Sequence, residues 1–315
     1  MARFSIVIPL YNKEKDIEAT LQSVLEQSHS DFEIVLVDDG SKDNGVAKAE
    51  GVSDDRIKIF SKKNEGVAIA RNFGVAKANN EFIAFLDADD YWHPTHLEDI
   101  NTLIEKHPNA QWFATAYEKN FNTNLLVPFD GPIMKSTNAY VSVSNYFENC
   151  LIDSISWTSA MCFKKTFFDR LNGFDTAITH GAGEDTDLWI RAALKEPLAF
   201  CTKISARYNL EGSNRISLTP TKKRAFMDPD NFEEAAQKDS DLKKYLDLNR
   251  YSFALQHKLA GDQESFRKFL KNLDTKNISS KQRMLLKLPN FTLKILLKIQ
   301  GGLRSSGVQT TSFRG

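Results

Sequence analysis

Residues 81–92 read EFIAFLDADDYW. Phe82 to Leu86 form an unbroken apolar run, as expected of a strand buried on both faces, and the run stops at Asp87, Asp89 and Asp90. Three carboxylates this close repel one another, so a turn gains nothing from them unless a cation or water accommodates the charge. Open α/β sheets place their ligands at the carboxyl ends of such strands. A metal site is therefore the first function this stretch predicts, and the chain around it must supply further strands with covering helices.

The preceding segments do so. FSIVIPL is a buried-strand pattern ended by Pro9, and Ile17, Leu21, Val24 and Leu25 then recur at helical spacing. FEIVLV, Phe32 to Val37, predicts a second strand that ends at once in Asp38 and Asp39. Arg56 to Phe60 predicts a third, followed by NEGVAIARNFGVAKA, whose small residues suit a helix lying close on a sheet. The order predicts an α/β fold with a doubly wound, mainly parallel sheet and right-handed crossovers.

Beyond Trp92, Pro94 suits a first helical turn, and Leu97, Ile100, Leu103 and Ile104 share one face. Gln111 to Tyr117 and Trp157 to Phe163 predict strands, and Lys165 to Leu171 a short helix. Residues 118–145 lack periodicity and are expected to form a loop or hairpin that shapes a pocket. THGAGEDTDLWIRAALKE then opens a helix with Glu184 and Asp185 in its first turn, where the helix dipole favours carboxylates. Trp189 falls on its inward face, and Asp187 and Arg191, four apart, predict an ion pair. Pro220 to Pro229 is expected to be a linker to a helical region.

Charge gives a regional message only. Lys plus Arg number 41 and so do Asp plus Glu, which offers no general attraction for nucleic acid. From Lys281 onward, however, Lys281, Arg283, Lys287, Lys294, Lys298, Arg304 and Arg314 occur with no acid among them. Two arrangements fit this tail: a helix pair on anionic lipid, kinked at Pro289, or a pair packed on the rest of the chain with its lysines in water. Cys150, Cys162 and Cys201 lack metal-type spacing and are expected to be reduced core residues. The opening lacks a secretory apolar region, and no apolar run reaches the roughly 18–20 residues that span a bilayer. The expected location is the cytoplasm, with the inner face of the cell membrane left open by the tail.

SIVIPLYNKEKDIEATLQSVLEQS, FEIVLVDDGSKD, NEGVAIARNFGVAKA and FIAFLDADDYW, in that order, closely resemble the family 2 glycosyltransferases of the GT-A fold, over about Phe4 to Arg191. The resemblance implies inverting transfer of a sugar from a nucleotide sugar, with UDP sugars favoured, assisted by Mn²⁺ or Mg²⁺. The acceptor it implies is a glycan or lipid-linked glycan in surface polysaccharide synthesis. Pro9, Tyr11, Asp38 and Asp39 would hold the base and ribose, and Arg71 would lie near the diphosphate. In the D-x-D motif Asp87-Ala88-Asp89, Asp87 would face ribose or metal-bound water and Asp89 would ligate the ion. Asp90 and Trp92 would border the acceptor, with Trp157 as a further sugar-stacking aromatic. Asp185 would be the general base, and Glu184 would hydrogen-bond the acceptor or position Asp185. The implied division is a GT-A domain over 1–219, with a donor half over 1–117 and an acceptor and base half over 118–219, followed by a helical basic region over 220–315.

One departure concerns the metal. Many relatives carry a histidine beside an Arg and a Ser after the next strand, whereas this chain reads ARYNLEGSNRIS and has no histidine between His180 and His257. Tyr208, Asn209, Ser213, Arg215 or water is left as the third contact. His93 and His96 are expected at a surface helix start rather than on a metal, because Pro94 separates them and no H-E-x-x-H pattern is present. Two alternatives compete with transfer. A sugar nucleotidyltransferase needs a glycine-rich basic first loop, which YNKEKDI is not. A non-catalytic nucleotide-sugar binder or scaffold would bind UDP and Mn²⁺ without transfer, and Asp87, Asp89 and Asp185 weigh against it.

Overall fold

Consecutive apolar residues are stable as strands only where both faces of a sheet are covered. In the computed structural model, which describes residues 1–122, 125–212, 214 and 219–296, three such runs lie side by side, with a half-exposed strand at their edge. They are β1 (Phe4–Leu10), β2 (Phe32–Asp38), β3 (Ile57–Ser61) and β4 (Phe82–Phe85), parallel in the order β3-β2-β1-β4. The chain adds β5 (Tyr91–Trp92), β6 (Trp112–Asn122), β7 (Leu125–Pro128), β8 (Tyr140–Val143), β9 (Met161–Lys164) and β10 (Leu198–Asn209) to the same sheet. β9 runs antiparallel between β4 and β6, while β10 lies parallel to β6 and carries β5 and β8 antiparallel to it.

Six helices follow the strands of this sheet: α1 (Ile17–Leu25), α2 (Gly45–Glu50), α3 (Val67–Lys77), α4 (His96–Lys106), α5 (Lys165–Arg170) and α6 (Glu184–Ala193). α3 lies close on the sheet because of Gly74. A Cβ there would sit 2.5 Å from Val7 Cγ1, too close without a shift of helix or strand, and a tight 3.2 Å from Val37 Cγ2.

Within 118–145 the hairpin alternative is found: β6 runs on to Asn122 and pairs antiparallel with β7 before β8 joins β10. The strand expected from Trp157 begins only at Met161, because Thr158–Ala160 form a turn that aims Ser159 at the acids after β4. The stretch expected to be a linker is instead a strap. Thr179 N–H donates to the Ala225 carbonyl (3.0 Å), Met227 N–H to the Ala182 carbonyl (3.0 Å), and Arg224 Nη2 to the Gly181 carbonyl. Ala225 and Met227 thus pair with the loop leading into α6.

The strap leads to α7 (Glu233–Ala236), α8 (Ser240–Leu259), α9 (Gln263–Leu270) and α10 (Ser280–Lys287). Leu242, Leu246, Phe253 and Ala254 of α8 belong to the same hydrophobic core as the sheet. The buried Arg250 is neutralised by Asp230, Glu233 and Asp247 at 2.7, 2.5 and 3.0 Å. A smaller core joins Tyr251, Leu255, Ile278, Leu285 and Leu293. The helical pattern breaks at Leu288 and Pro289, and Met284, Phe291, Ile295 and Leu296 are exposed. Lys298, Arg304 and Arg314 of the basic tail lie outside the described residues. Among the described residues no helix is long and apolar enough to cross a membrane. The three cysteines are buried and unpaired.

Candidate active site

Parallel pairing brings the ends of β2 and β4 to one edge, on either side of β1: Asp39 N–H donates to the Leu10 carbonyl (2.8 Å) and Leu86 N–H to the Val7 carbonyl (3.1 Å). The two acid clusters therefore flank Pro9 and Tyr11. Asp38 Oδ1 accepts the Ser41 N–H at 2.8 Å and shapes the turn. Asp39 is buried and accepts from Lys62 Nζ (2.8 Å), Glu65 N–H (3.0 Å) and Gly66 N–H (2.8 Å). Gly40, at φ +74°, makes the turn possible, since a Cβ there would lie 2.9 Å from Asn64 N.

After β4 each acid has a different environment. Lys13 Nζ lies 2.5 Å from Asp89 Oδ2, with side chains 12% and 15% exposed. Arg71 Nη2 lies 2.6 Å from Asp87 Oδ1, with Arg71 5% and Asp87 29% exposed. Burial pushes the Asp89 carboxyl up against the pull of Lys13, and Asp87 adds to the rise. The buried Ala88 gives its carbonyl to Thr20 Oγ1 at 3.1 Å. Gly212 crosses directly over Asp89, where an added Cβ would fall 2.2 Å from Oδ2.

Asp90 and Trp92, expected at the acceptor, are both buried. Asp90 is buried and accepts from Ser159 Oγ (2.6 Å) and Asn209 N–H (3.0 Å). Burial, reinforced by repulsion from Asp89 and Asp87, pushes its carboxyl well up. Trp92 is fully buried, donates Nε1–H to the Ser159 carbonyl at 2.6 Å and stacks on His96 at 4.2 Å. The chain reverses after Asp90 so that β5 joins the far edge of the sheet, which turns both side chains inward. His96 is likewise core rather than surface. Its Nδ1 lies 2.9 Å from Ser205 Oγ, and burial pushes its imidazole down to about 3.

Asp87 and Asp89 fit a divalent cation chemically. They are hard oxygen donors two residues apart, and each already attracts a cation, Arg71 or Lys13. Among the described residues no three acid, histidine or cysteine side chains form a protein-only cage. An ion held by these two acids would need its other ligands from substrate and water. Asn209, one candidate third contact, is engaged beneath the acids: its Nδ2 donates to the Asp89 carbonyl (2.8 Å) and its Oδ1 accepts from Asn120 (3.0 Å). Ser213 and Arg215 lie outside the described residues.

The other carboxylates come from α6. Its approach is left-handed at His180 (φ 58°), Gly181 (64°) and Gly183 (104°), and the strap grips this loop. Asp185 is half-buried, and its Oδ1 accepts the Thr186 N–H at 2.7 Å. Glu184 is buried. Burial, then repulsion from Asp185, pushes its carboxyl up to about 7. Arg71 Nη1 stands 3.6 Å from Glu184 Oε1. Arg71, expected near the diphosphate, is thus buried between two acids. Asp187 and Arg191 pair at 2.6 Å, and Trp189 lies in the core, as expected.

Trp157 is half-buried between Tyr117 and Tyr208, with ring centroids 4.9 and 5.0 Å away. Lys13 and Ser159 were not singled out in the sequence. Lys13 carries a signal, a lysine in the loop after a strand that ends opposite an acid cluster. Ser159 carries none.

Acid clusters at the carboxyl edge of a mixed sheet, faced by a helix that opens with two more, form the candidate site of a GT-A-type fold. The chain belongs to glycosyl transferase family 2, whose profile matches residues 5–169. It is 31% identical over 215 residues to the E. coli UDP-Glc:alpha-D-GlcNAc-diphosphoundecaprenol beta-1,3-glucosyltransferase WfgD, covering 67% of this chain and 78% of that one. It is 29% identical over 228 residues to an uncharacterised glycosyltransferase of Rickettsia bellii, covering 70% of this chain and 31% of that one. The chain thus spans about a third of the length of that curated relative. The crystal structure of S. aureus TarS 1-349 in complex with UDP-GlcNAc shares the fold at a TM-score of 0.62 and 18% identity, covering 98% of this chain and 93% of that one.

Proposed function

We propose that the protein is an inverting, divalent-cation-dependent glycosyltransferase that moves a sugar from a UDP sugar to a hydroxyl of a glycan or lipid-linked glycan acceptor in surface polysaccharide synthesis. The observation that carries this reading is the meeting of Asp87, from the D-x-D turn, with Glu184 and Asp185, from the start of α6, around the buried Arg71. Donor and acceptor classes are supported by the name of the E. coli relative and by the UDP-GlcNAc bound to TarS.

Pro9, Tyr11 and Asp39 bind the base and ribose, with Asp38 holding the turn. Asp39 already accepts three donors, which leaves about one of a carboxylate's roughly four acceptor sites for a base N–H. Asp185 takes the proton of the acceptor hydroxyl as that oxygen forms its bond to the anomeric carbon from the face opposite the nucleotide. The anomeric carbon–oxygen bond breaks, and its electron pair leaves on the diphosphate. Asp89, with Asp87, would hold the cation, whose positive charge when bound favours departure of the diphosphate. Trp157, stacked on Tyr208, offers an aromatic face to the acceptor sugar. Residues 1–117 carry donor binding, 118–219 the base and acceptor, and 220–315 both the strap and a membrane contact. Exposed Met284, Phe291, Ile295 and Leu296 beside exposed Lys287 and Lys294 support contact with anionic lipid at the inner face of the cell membrane.

A screen of nucleotide sugars for hydrolysis, with Mn²⁺ and with EDTA, tests the reading without the acceptor. Release of UDP from one donor, abolished by EDTA, is expected. Binding of UDP with no donor turned over would favour a non-catalytic binder.

A further inference from the structure

We infer that Arg71 is a positioning residue shared between Asp87 and Glu184, and that donor binding moves it from the first toward the second, coupling the donor end of the sheet to the helix that carries the base. The inference rests on the proposed roles of Asp87 in donor binding and Asp185 as base.

Arg71 makes far fewer bonds than its burial demands. A guanidinium has five N–H donors, and leaving buried donors unmade is costly. Nη2 donates to Asp87 Oδ1 at 2.6 Å, while Nε and Nη1 are buried without a hydrogen-bond partner. Phe174 lies under the guanidinium at 5.2 Å and supplies no acceptor atom. Across from Nη1, Glu184 Oε1 stands at 3.6 Å, outside hydrogen-bond range, and Glu184 Oε2 is also buried without a partner. A buried cation and a buried carboxylate face each other at ion-pair distance, just beyond hydrogen-bond range. Burial works against the Arg71 charge, and the attraction of Asp87, Glu184 and Asp185 outweighs it.

Asp87 is the member of this chain that reaches solvent. A donor hydroxyl or cation that engages Asp87 draws negative charge away from Arg71. Glu184 is the buried carboxylate within reach, and closing on it satisfies Nη1 and fixes the first turn of α6, where Asp185 follows directly. Arg224, which also attracts Glu184, is anchored through Nη2 to the Gly181 carbonyl and through Nη1 to Gln256.

The test is a double-mutant cycle in UDP affinity, measured by calorimetry in Mn²⁺ at about pH 8, above the Glu184 value of about 7. Wild type, Glu184→Gln, Arg71→Met and the double variant are compared. Glu184 does not touch UDP, yet Glu184→Gln is expected to weaken binding by about three- to tenfold, because Arg71 then loses its second carboxylate when the donor takes Asp87. In the Arg71→Met background the same change is expected to alter affinity by less than about 1.5-fold. Equal factors in both backgrounds, or no effect in either, would overturn the coupling. If Arg71→Met does not fold, as judged by circular dichroism, Arg71→Lys replaces it and is expected to reduce the Glu184→Gln effect at least by about half; an unreduced effect overturns the coupling. Asp39→Asn serves as the separate check. Unchanged UDP binding there would refute the donor-site reading, whereas weakened binding there with an additive cycle refutes only the role of Arg71.

Discussion

Lys13 Nζ lies 2.5 Å from Asp89 Oδ2, so the best candidate metal ligand already holds an ammonium supplied by the first loop. Both side chains are largely buried, and solvent screens the pair less than it would at a surface. An incoming cation must share Asp89 with Lys13. Lys13→Met is therefore expected to tighten Mn²⁺ binding to the nucleotide-free protein by about three- to tenfold, followed by loss of the free-ion electron paramagnetic resonance signal. Unchanged or weaker binding would show that Lys13 and the ion do not compete.

Glu184 gives a pH signature. Burial, then the charge of Asp185, raises its carboxyl from 4.5 to about 7, so the folded protein binds this proton more tightly than the unfolded chain. The resulting stabilisation is complete below about pH 4.5 and is lost as pH rises through about 7. Glu184→Gln cannot titrate. Between about pH 5 and pH 8 it should lose less unfolding free energy than wild type, by on the order of 2–3 kcal/mol in urea denaturation. Parallel pH profiles for the two proteins would contradict the raised carboxyl.

The exposed apolar residues around Pro289 predict lipid binding. Phe291 is 75% exposed and neighbours the exposed Lys287 and Lys294. Phe291→Glu places an acid on that face and should reduce sedimentation with phosphatidylglycerol vesicles by about fivefold or more, with little change in neutral vesicles. Equal sedimentation of both proteins with anionic vesicles would favour a helix pair that serves packing alone.

Much of the fold was legible because its signals are local. The runs FSIVIPL, FEIVLV and FIAFL are largely apolar and then stop, and this pattern placed β1, β2 and β4, the last two with acids at their ends. What was not legible depends on distant partners. Nothing near Trp92 announces that β5 will pair with β10, so its burial and that of Asp90 could not be read from EFIAFLDADDYW. Arg71 sits in a motif that suggests phosphate, but its partner Glu184 comes from the other half of the chain. The strap is hidden because Ala225 and Met227 are sparse apolar residues in a charged stretch. His96 is different. It precedes Ile100 and Leu103 at i+4 and i+7, the stripe that α4 buries, and weighing that spacing above Pro94 would have placed it in the core.

The central claim is that Asp185 takes the acceptor proton while the acids after β4 hold the donor. Its most direct measurement is turnover by Asp185→Asn on the donor identified by the screen, paired with UDP calorimetry on the same protein. The expected result is a turnover loss of about 10²–10⁴-fold with UDP affinity within about twofold of wild type. Retention of most turnover at unchanged UDP affinity would contradict the role of Asp185 as base.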